Sequence, residues 1–146
     1  MGKIPSRIPN YSSGGGNPTE HANSEATLQG TADTTWYDSH NTIASGANIV
    51  SASITITKKS CIVVVATVSI GNWSAGDPRT QIRRGGVDKT KETTISGADT
   101  YNNRVGVQYA TEVLDAGTYQ YDLVNSYQYA VGVYCATIKI VAVAVE

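Results

Sequence analysis

An all-β sandwich or jelly roll behind an extended N-terminal arm is the architecture this chain predicts, on three observations. Charged residues are only 16% of the 146, while Thr, Ser, Val, Ala, Gly and Tyr abound. That balance suits half-buried strands and turns better than helices. From Ala26 onward, short β-branched runs recur with no helical period among them. Turn residues separate these runs at the spacing of a sandwich or jelly roll. The length fits one domain plus a tail.

Residues 1–25 read as non-globular, and residues 26–146 as the domain. "GKIPSRIPNYSSGGGNP" repeats a basic-Ile-Pro unit, Lys3-Ile4-Pro5 and Arg7-Ile8-Pro9, followed by Tyr11 and the Gly14–Gly16 run. Each Ile-Pro pair biases the backbone to extended conformations, whereas the Gly/Ser stretch predicts a flexible spacer. "TTWYD" (34–38) is a short strand candidate. "IVSASITIT" (49–57) alternates, with Ile54 and Ile56 on one face and Ser53, Thr55 and Thr57 on the other. "KKS" (58–60) makes a turn. "CIVVVATVSIG" (61–71) is almost continuously apolar, which predicts a central strand buried on both faces.

"RTQIRRGGVDKTKETTI" (79–95) predicts a polar hairpin turning at Gly85-Gly86, since glycine supplies the positive φ a tight turn needs. "RVGVQYATEVL" (104–114) is a strand, Asp115-Ala116-Gly117 a turn, and "TYQYDLV" (118–124) a strand with Tyr119, Tyr121 and Leu123 on one face. In the last run, "VGVYCATIKIVAVAV" (131–145), Ile138, Ile140, Ala142 and Ala144 face one way and Val141, Val143 and Val145 the other. Apolar residues on both faces fit a central strand, or one whose second face another subunit covers. The count is roughly eight strands.

Catalytic and metal chemistry find little support. His21 and His40 stand apart from any second good ligand, and no CxxC, HExxH or EF-hand spacing occurs. No nucleophile elbow or phosphate loop is present, and Asp33, Asp38, Glu92, Asp99 and Glu112 read as solvated loop charges. The expectation is a protein without cofactor or enzymatic activity. The formal net charge of −1 gives no overall pull toward nucleic acid or an anionic membrane. Arg79, Arg83, Arg84, Lys89 and Lys91 cluster, yet Asp77, Asp88 and Glu92 intermix with them and no aromatic does. A salt-bridged wet hairpin accounts for them better than a nucleic-acid surface. Cys61 and Cys135 lie in apolar runs, as buried free thiols or, alternatively, as a bridge between neighbouring strands. Trp73 in "GNWSAGDPR" (71–79) either caps the end of the sandwich or contacts a receptor or glycan, with Asp77, Tyr101 and Asn102 beside it. The first residues lack the apolar core of a signal peptide, so synthesis in a host cytoplasm is expected.

"ATEVLDAGTYQYDLV" (110–124) resembles the C1q/TNF-like jelly roll, in which a turn ending Ala-Gly-Thr-Tyr leads into a core strand. The resemblance extends in order through "TWYD", "SITITKKSCIVVVATVSI", "QIRRGG" and "CATIKIVAVAV", covering about residues 30–145. The chain departs from that pattern in having no Phe, so its nine Tyr, with Val and Ile, must supply the core. The resemblance implies a two-sheet jelly roll that packs as a homotrimer through one sheet. Small versions of the fold resemble phage or viral structural proteins.

The resulting expectation is a virion protein, a trimeric capsid decoration or spike. Lys3, Ile4, Pro5, Arg7, Ile8, Pro9 and Tyr11 would grip a major capsid or other virion protein. Tyr119, Tyr121, Val141 and Val143 are the trimer-interface candidates. The alternative is a fibre head that binds a host glycan or receptor through Trp73, Asp77, Tyr101 and Asn102. A self-assembling extracellular filament subunit is a third reading, disfavoured by prolines that would interrupt an added strand. Neither nucleic acid nor membrane is an expected partner.

Overall fold

The computed structural model describes residues 28–71, 77–95 and 104–145. They form nine strands: β1 Leu28–Ile43, β2 Asn48–Ile56, β3 Ser60–Gly71, β4 Arg79–Arg84, β5 Val87–Asp88, β6 Thr93–Thr94, β7 Arg104–Leu114, β8 Gly117–Asn125 and β9 Val131–Ala144. One sheet has the order β1-β9-β3-β7, the other β2-β8-β4-β5 with β6 also on β4, and every pairing is antiparallel. The pairing is nested: first strand with last, β2 with β8, β3 with β7, and β4 with the β5 hairpin arm. A long antiparallel ribbon rolled on itself has this pattern, and it makes the domain a jelly roll.

Several elements keep the bounds the sequence implies. β7 spans "RVGVQYATEVL", and the β4–β5 hairpin turns at Gly85 and Gly86 with φ of 58° and 77°. Paired positive φ values twist a two-residue turn to match its strands. β1 is far longer than "TTWYD". Outside that run its polar sequence gives no strand signal, but β1 pairs with β9 along nearly its whole length. Between Tyr37 and Asn41 it advances four residues while β9 advances two, from Cys135 to Val133. A bulge absorbs the excess without ending the strand.

The core lies between the sheets. Ile62, Val64, Ala66, Val68 and Ile70 of β3 and Ile138, Ile140 and Ala142 of β9 meet Ala52, Ile54 and Ile56 of β2, Ile82 of β4 and Tyr121 and Leu123 of β8. Among the described residues Tyr121 is the largest fully buried side chain, filling volume that Phe would otherwise take.

The expectation that β3 is buried on both faces is not met. Val63 and Val65 remain 37% and 39% exposed, because a two-layer sandwich covers only one face of each sheet. β9 is central, between β1 and β3, yet Val141 on its outer face is also uncovered by its own chain. The same parity moves the cysteines out of the core. Cys61 and Cys135 are free and half-buried on that outer face. Cys135 pairs with Ser69, and the strand rise sets Ser69 roughly 26 Å along β3 from Cys61. They therefore form no bridge within the chain.

Candidate functional site

The two outer faces of the sandwich differ in chemistry. On the β2-β8-β4 sheet the outer face is polar. There Ser51 Oγ donates to Asp122 (2.5 Å), Thr55 and Thr118 hydroxyls meet at 2.9 Å, and Arg83 pairs with Asp88 at 2.6 Å. On the β9-β3-β7 sheet the outer face carries many apolar side chains, interrupted by Lys139 opposite Val65 and by Thr67, Ser69, Thr111 and Thr137. Val63 lies between Val141 and Thr111, Val65 lies next to Tyr109, and Cys61 lies between Val143 and Val113. β7 is the extreme case: Val105, Val107, Tyr109 and Val113 point outward, with Tyr109 72% and Val105 69% exposed. Its inward residues are Gly106, Gln108, Ala110 and Glu112. A surface strand ordinarily has the opposite amphipathicity.

The inward polar residues of β7 are each partnered. Gln108 donates to Thr80 Oγ1 (2.5 Å) and accepts from Thr90 Oγ1 (3.0 Å). Glu112 accepts from Arg84 Nε (2.7 Å) and Nη2 (3.1 Å), and from the Tyr121 hydroxyl (2.7 Å), and it lies 2.7 Å from Lys89 Nζ. Burial pushes the Glu112 pKa up, but the hydrogen bonds from Arg84, Lys89 and Tyr121 outweigh it and bring it down to about 2. The Tyr121 hydroxyl is raised, by burial first and by the Glu112 carboxylate next. Glu112 is thus not the solvated loop charge the sequence suggests; it ties β7 to the β4–β5 hairpin and β8. Arg79, Arg83, Arg84 and Lys89 of the basic cluster are salt-bridged as expected, Arg79 to Glu92 at 3.4 Å.

The second surface is the end of the sandwich where β3 stops and β4, β7 and β9 start. Ile70 pairs with Arg104, Gly71 with Gly132, and Thr80 with Asn125 there. Buried Asn125 pins the loops. Its amide donates to the carbonyls of Ile43, Ala44 (both 3.1 Å) and Tyr129 (3.0 Å), and its side-chain oxygen accepts from Tyr127 N (3.0 Å). Ser45 Oγ donates to the Tyr127 carbonyl at 2.6 Å. Beside this pin is a cavity of about 200 Å³ lined by Arg79, Ser126, Tyr127 and Gln128.

Among the interface candidates, Val141 and Val143 lie on the outer face of the β9-β3-β7 sheet. Tyr119 and Tyr121 do not share it: they are on the inner side of β8, with Tyr121 wholly buried and Tyr119 packed against the core beneath Arg84 (5.5 Å to the ring centroid). Asp77 is exposed at the loop end, just before β4. Lys3, Ile4, Pro5, Arg7, Ile8, Pro9 and Tyr11, like Trp73, Tyr101 and Asn102, lie outside the described residues. The β7 valines and Tyr109 escaped the sequence reading, although the odd–even split of 104–114 carried the signal. Among the described residues no three His, Cys, Asp or Glu converge as metal ligands would.

No protein-family model and no curated protein matches the chain in sequence. Solved structures similar to it include the sugar-binding C-terminal domain of EclA, at 15% identity and TM-score 0.44, covering 75% of this chain and 78% of that one. A family 35 carbohydrate-binding module from an environmental isolate is 13% identical with TM-score 0.40, covering 85% and 96%. Another, from Clostridium thermocellum, is 10% identical with TM-score 0.37, covering 79% and 98%. These are distant likenesses of backbone arrangement, and the jelly roll stands on the chain's own strand pairing.

Proposed function

We propose that this chain is a non-catalytic jelly-roll subunit that associates with copies of itself through the outer face of β9, β3 and β7. One observation carries the reading: β7 turns Val105, Val107, Tyr109 and Val113 to solvent while its core side holds Gly106, Gln108 and Glu112. Isolated surface apolar residues are ordinary, but several exposed large ones gathered on one sheet face mark an interaction surface. Three strands about 4.8 Å apart and roughly 11 residues long present on the order of 500 Å². Two such faces reach the roughly 1,000 Å² needed by a specific interface.

The proposed assembly is a trimer attached to a larger particle through residues 1–25. Its identity as a virion component, with a capsid protein as partner, rests on the sequence resemblance. Native mass spectrometry should find a trimer for the full chain and a folded monomer for Tyr109→Lys. A monomeric wild type would refute self-association. Deleting residues 1–13 should leave the trimer intact and abolish attachment to the particle; retained attachment would refute the arm's role.

A second reading, glycan binding at the loop end, is favoured by the cavity beside Asn125, at the end where the segments bearing Trp73 and Tyr101 leave their strands. Loss of glycan-array signal on Trp73→Ala, with the trimer unchanged, would support it.

A further inference from the structure

β7 ends its sheet, with β3 on one side and no strand on the other. The direction of its free backbone groups follows from one hydrogen bond. Val145 N donates to the Lys59 carbonyl (2.9 Å), and the β3–β9 register continues from there as Cys61 with Val143, Val63 with Val141 and Val65 with Lys139. Opposed residues in an antiparallel pair alternate between bonded and non-bonded, and the amide and carbonyl of one residue point to the same neighbour. The odd residues of β3 therefore bond to β9 and its even residues to β7. Val64, Ala66 and Val68 lie opposite Ala110, Gln108 and Gly106, so the even residues of β7 spend their backbone groups on β3. Val105, Val107, Tyr109, Thr111 and Val113 turn theirs to the open edge, and among the described residues no backbone hydrogen bond reaches them there.

Open strand edges are blocked in most proteins by bulges, prolines, lysines or brevity. The other edges here follow that rule. β1 carries two register shifts, β2 carries one and packs beside β1, and β5 and β6 have 2 residues each. β7 has 11 residues, no register shift against β3, and neither Pro nor Lys. Its edge residues also read alike in both directions. About Tyr109, Val107 mirrors Thr111 and Val105 mirrors Val113, all β-branched and close in shape.

We propose that β7 pairs antiparallel with β7 of a second copy about a two-fold axis at Tyr109, joining two four-stranded sheets into one. Val105 meets the partner's Val113, Val107 meets the partner's Thr111, and the two Tyr109 residues pair across the axis. Odd residues meet odd ones, so free groups meet free groups and the two outer faces stay on the same side. Each bonded pair exchanges two hydrogen bonds, about ten over the whole edge. β-branched and aromatic cross-strand pairs add to them. This contact lies in the plane of the sheet and goes beyond the face contact proposed above. Trading water for strand hydrogen bonds gains little per bond, so the face forms the trimer and the edge joins trimers as concentration rises.

Val141→Lys, on β9, acts on the face contact and leaves the edge intact. Sedimentation velocity of that full-length variant should show a monomer–dimer equilibrium, and adding Thr111→Pro should leave only monomer. The Thr111 amide points to the open edge, so proline removes no bond from the chain's own ladder. Cross-linking reads the register without a proline. In a Cys61→Ser, Cys135→Ser background under a mild oxidant, Val105→Cys mixed with Val113→Cys should form a disulfide-linked dimer. Val105→Cys alone should not, because like positions lie roughly 26 Å apart. A Val141→Lys chain that stays monomeric at every concentration overturns the edge contact and leaves the face contact standing. Dimers that survive Thr111→Pro, or cross-links between like positions, overturn the two-fold register. A wild type that forms dimers and never trimers supports the edge and overturns the face trimer, whereas a wild type monomeric throughout overturns both.

Discussion

At Glu112 one carboxylate meets Arg84, Lys89 and the Tyr121 hydroxyl at the margin of the core. Its folded pKa, about 2, lies below the ordinary 4.5. The clamp therefore contributes fully above about pH 4.5 and is lost as pH falls toward 2. After discounting for partial exposure, it is worth about 2 kcal/mol. Urea melts of wild type and Glu112→Gln should differ by that amount at pH 7 and converge near pH 2. An unchanged gap at low pH would refute the clamp. Asn125 sets a different constraint, because its amide faces three carbonyl oxygens. Asn125→Asp replaces the donor with an acceptor and buries a charge against them. The expected loss is about 3–5 kcal/mol, read as a lowered denaturation midpoint. Neither role is legible in the sequence, where Glu112 and Asn125 are ordinary polar residues whose partners lie up to 82 positions away.

β7 depends on a glycine for close packing. A Cβ on Gly106 would lie 2.8 Å from Ile95 Cδ1 and 2.9 Å from Cγ1, so Ile95, which is buried at the sandwich margin, must shift. Gly106→Ala should cost about 1–3 kcal/mol. Adding Ile95→Ala should recover part of that cost, a non-additivity measurable in a double-mutant cycle of urea midpoints. At the β4–β5 turn the demand is on the backbone alone. A Cβ on Gly85 or Gly86 would meet nothing within 4 Å, but φ of 58° and 77° strains most other residues, Asn and Asp least. This hairpin was legible because Gly-Gly specifies its own geometry locally. Most of β1 beyond "TTWYD" was not, because its polar residues become a strand only when β9 supplies the hydrogen bonds.

Across the whole molecule, nested pairing places β9 between the first strand and β3. Truncation after Tyr129 removes the partner of both and should abolish the cooperative unfolding transition and the β-sheet circular dichroism. A folded remnant would contradict the rolled-ribbon architecture. The asymmetry of the outer faces also emerges only at this scale. Ser51, Thr55, Thr118 and Asp122 make one face polar, whereas Val65, Val107, Tyr109 and Val141 stand exposed on the other.

Sequence alone determined the strand content, the Gly-Gly hairpin and the odd–even alternation in β2 and β9, because these follow from local φ preferences and a two-residue period. The tertiary structure decided which faces are covered. A run such as "CIVVVATVSI" is apolar on both sides whether one layer or two will pack on it, and only the number of layers exposes Val63 and Val65 while burying Ile62 and Val64. Long-range register likewise turned Tyr121 inward, left Cys61 and Cys135 apart, and gathered Arg84, Lys89 and Glu112 from separate strands and loops, since each depends on pairings that no local pattern encodes.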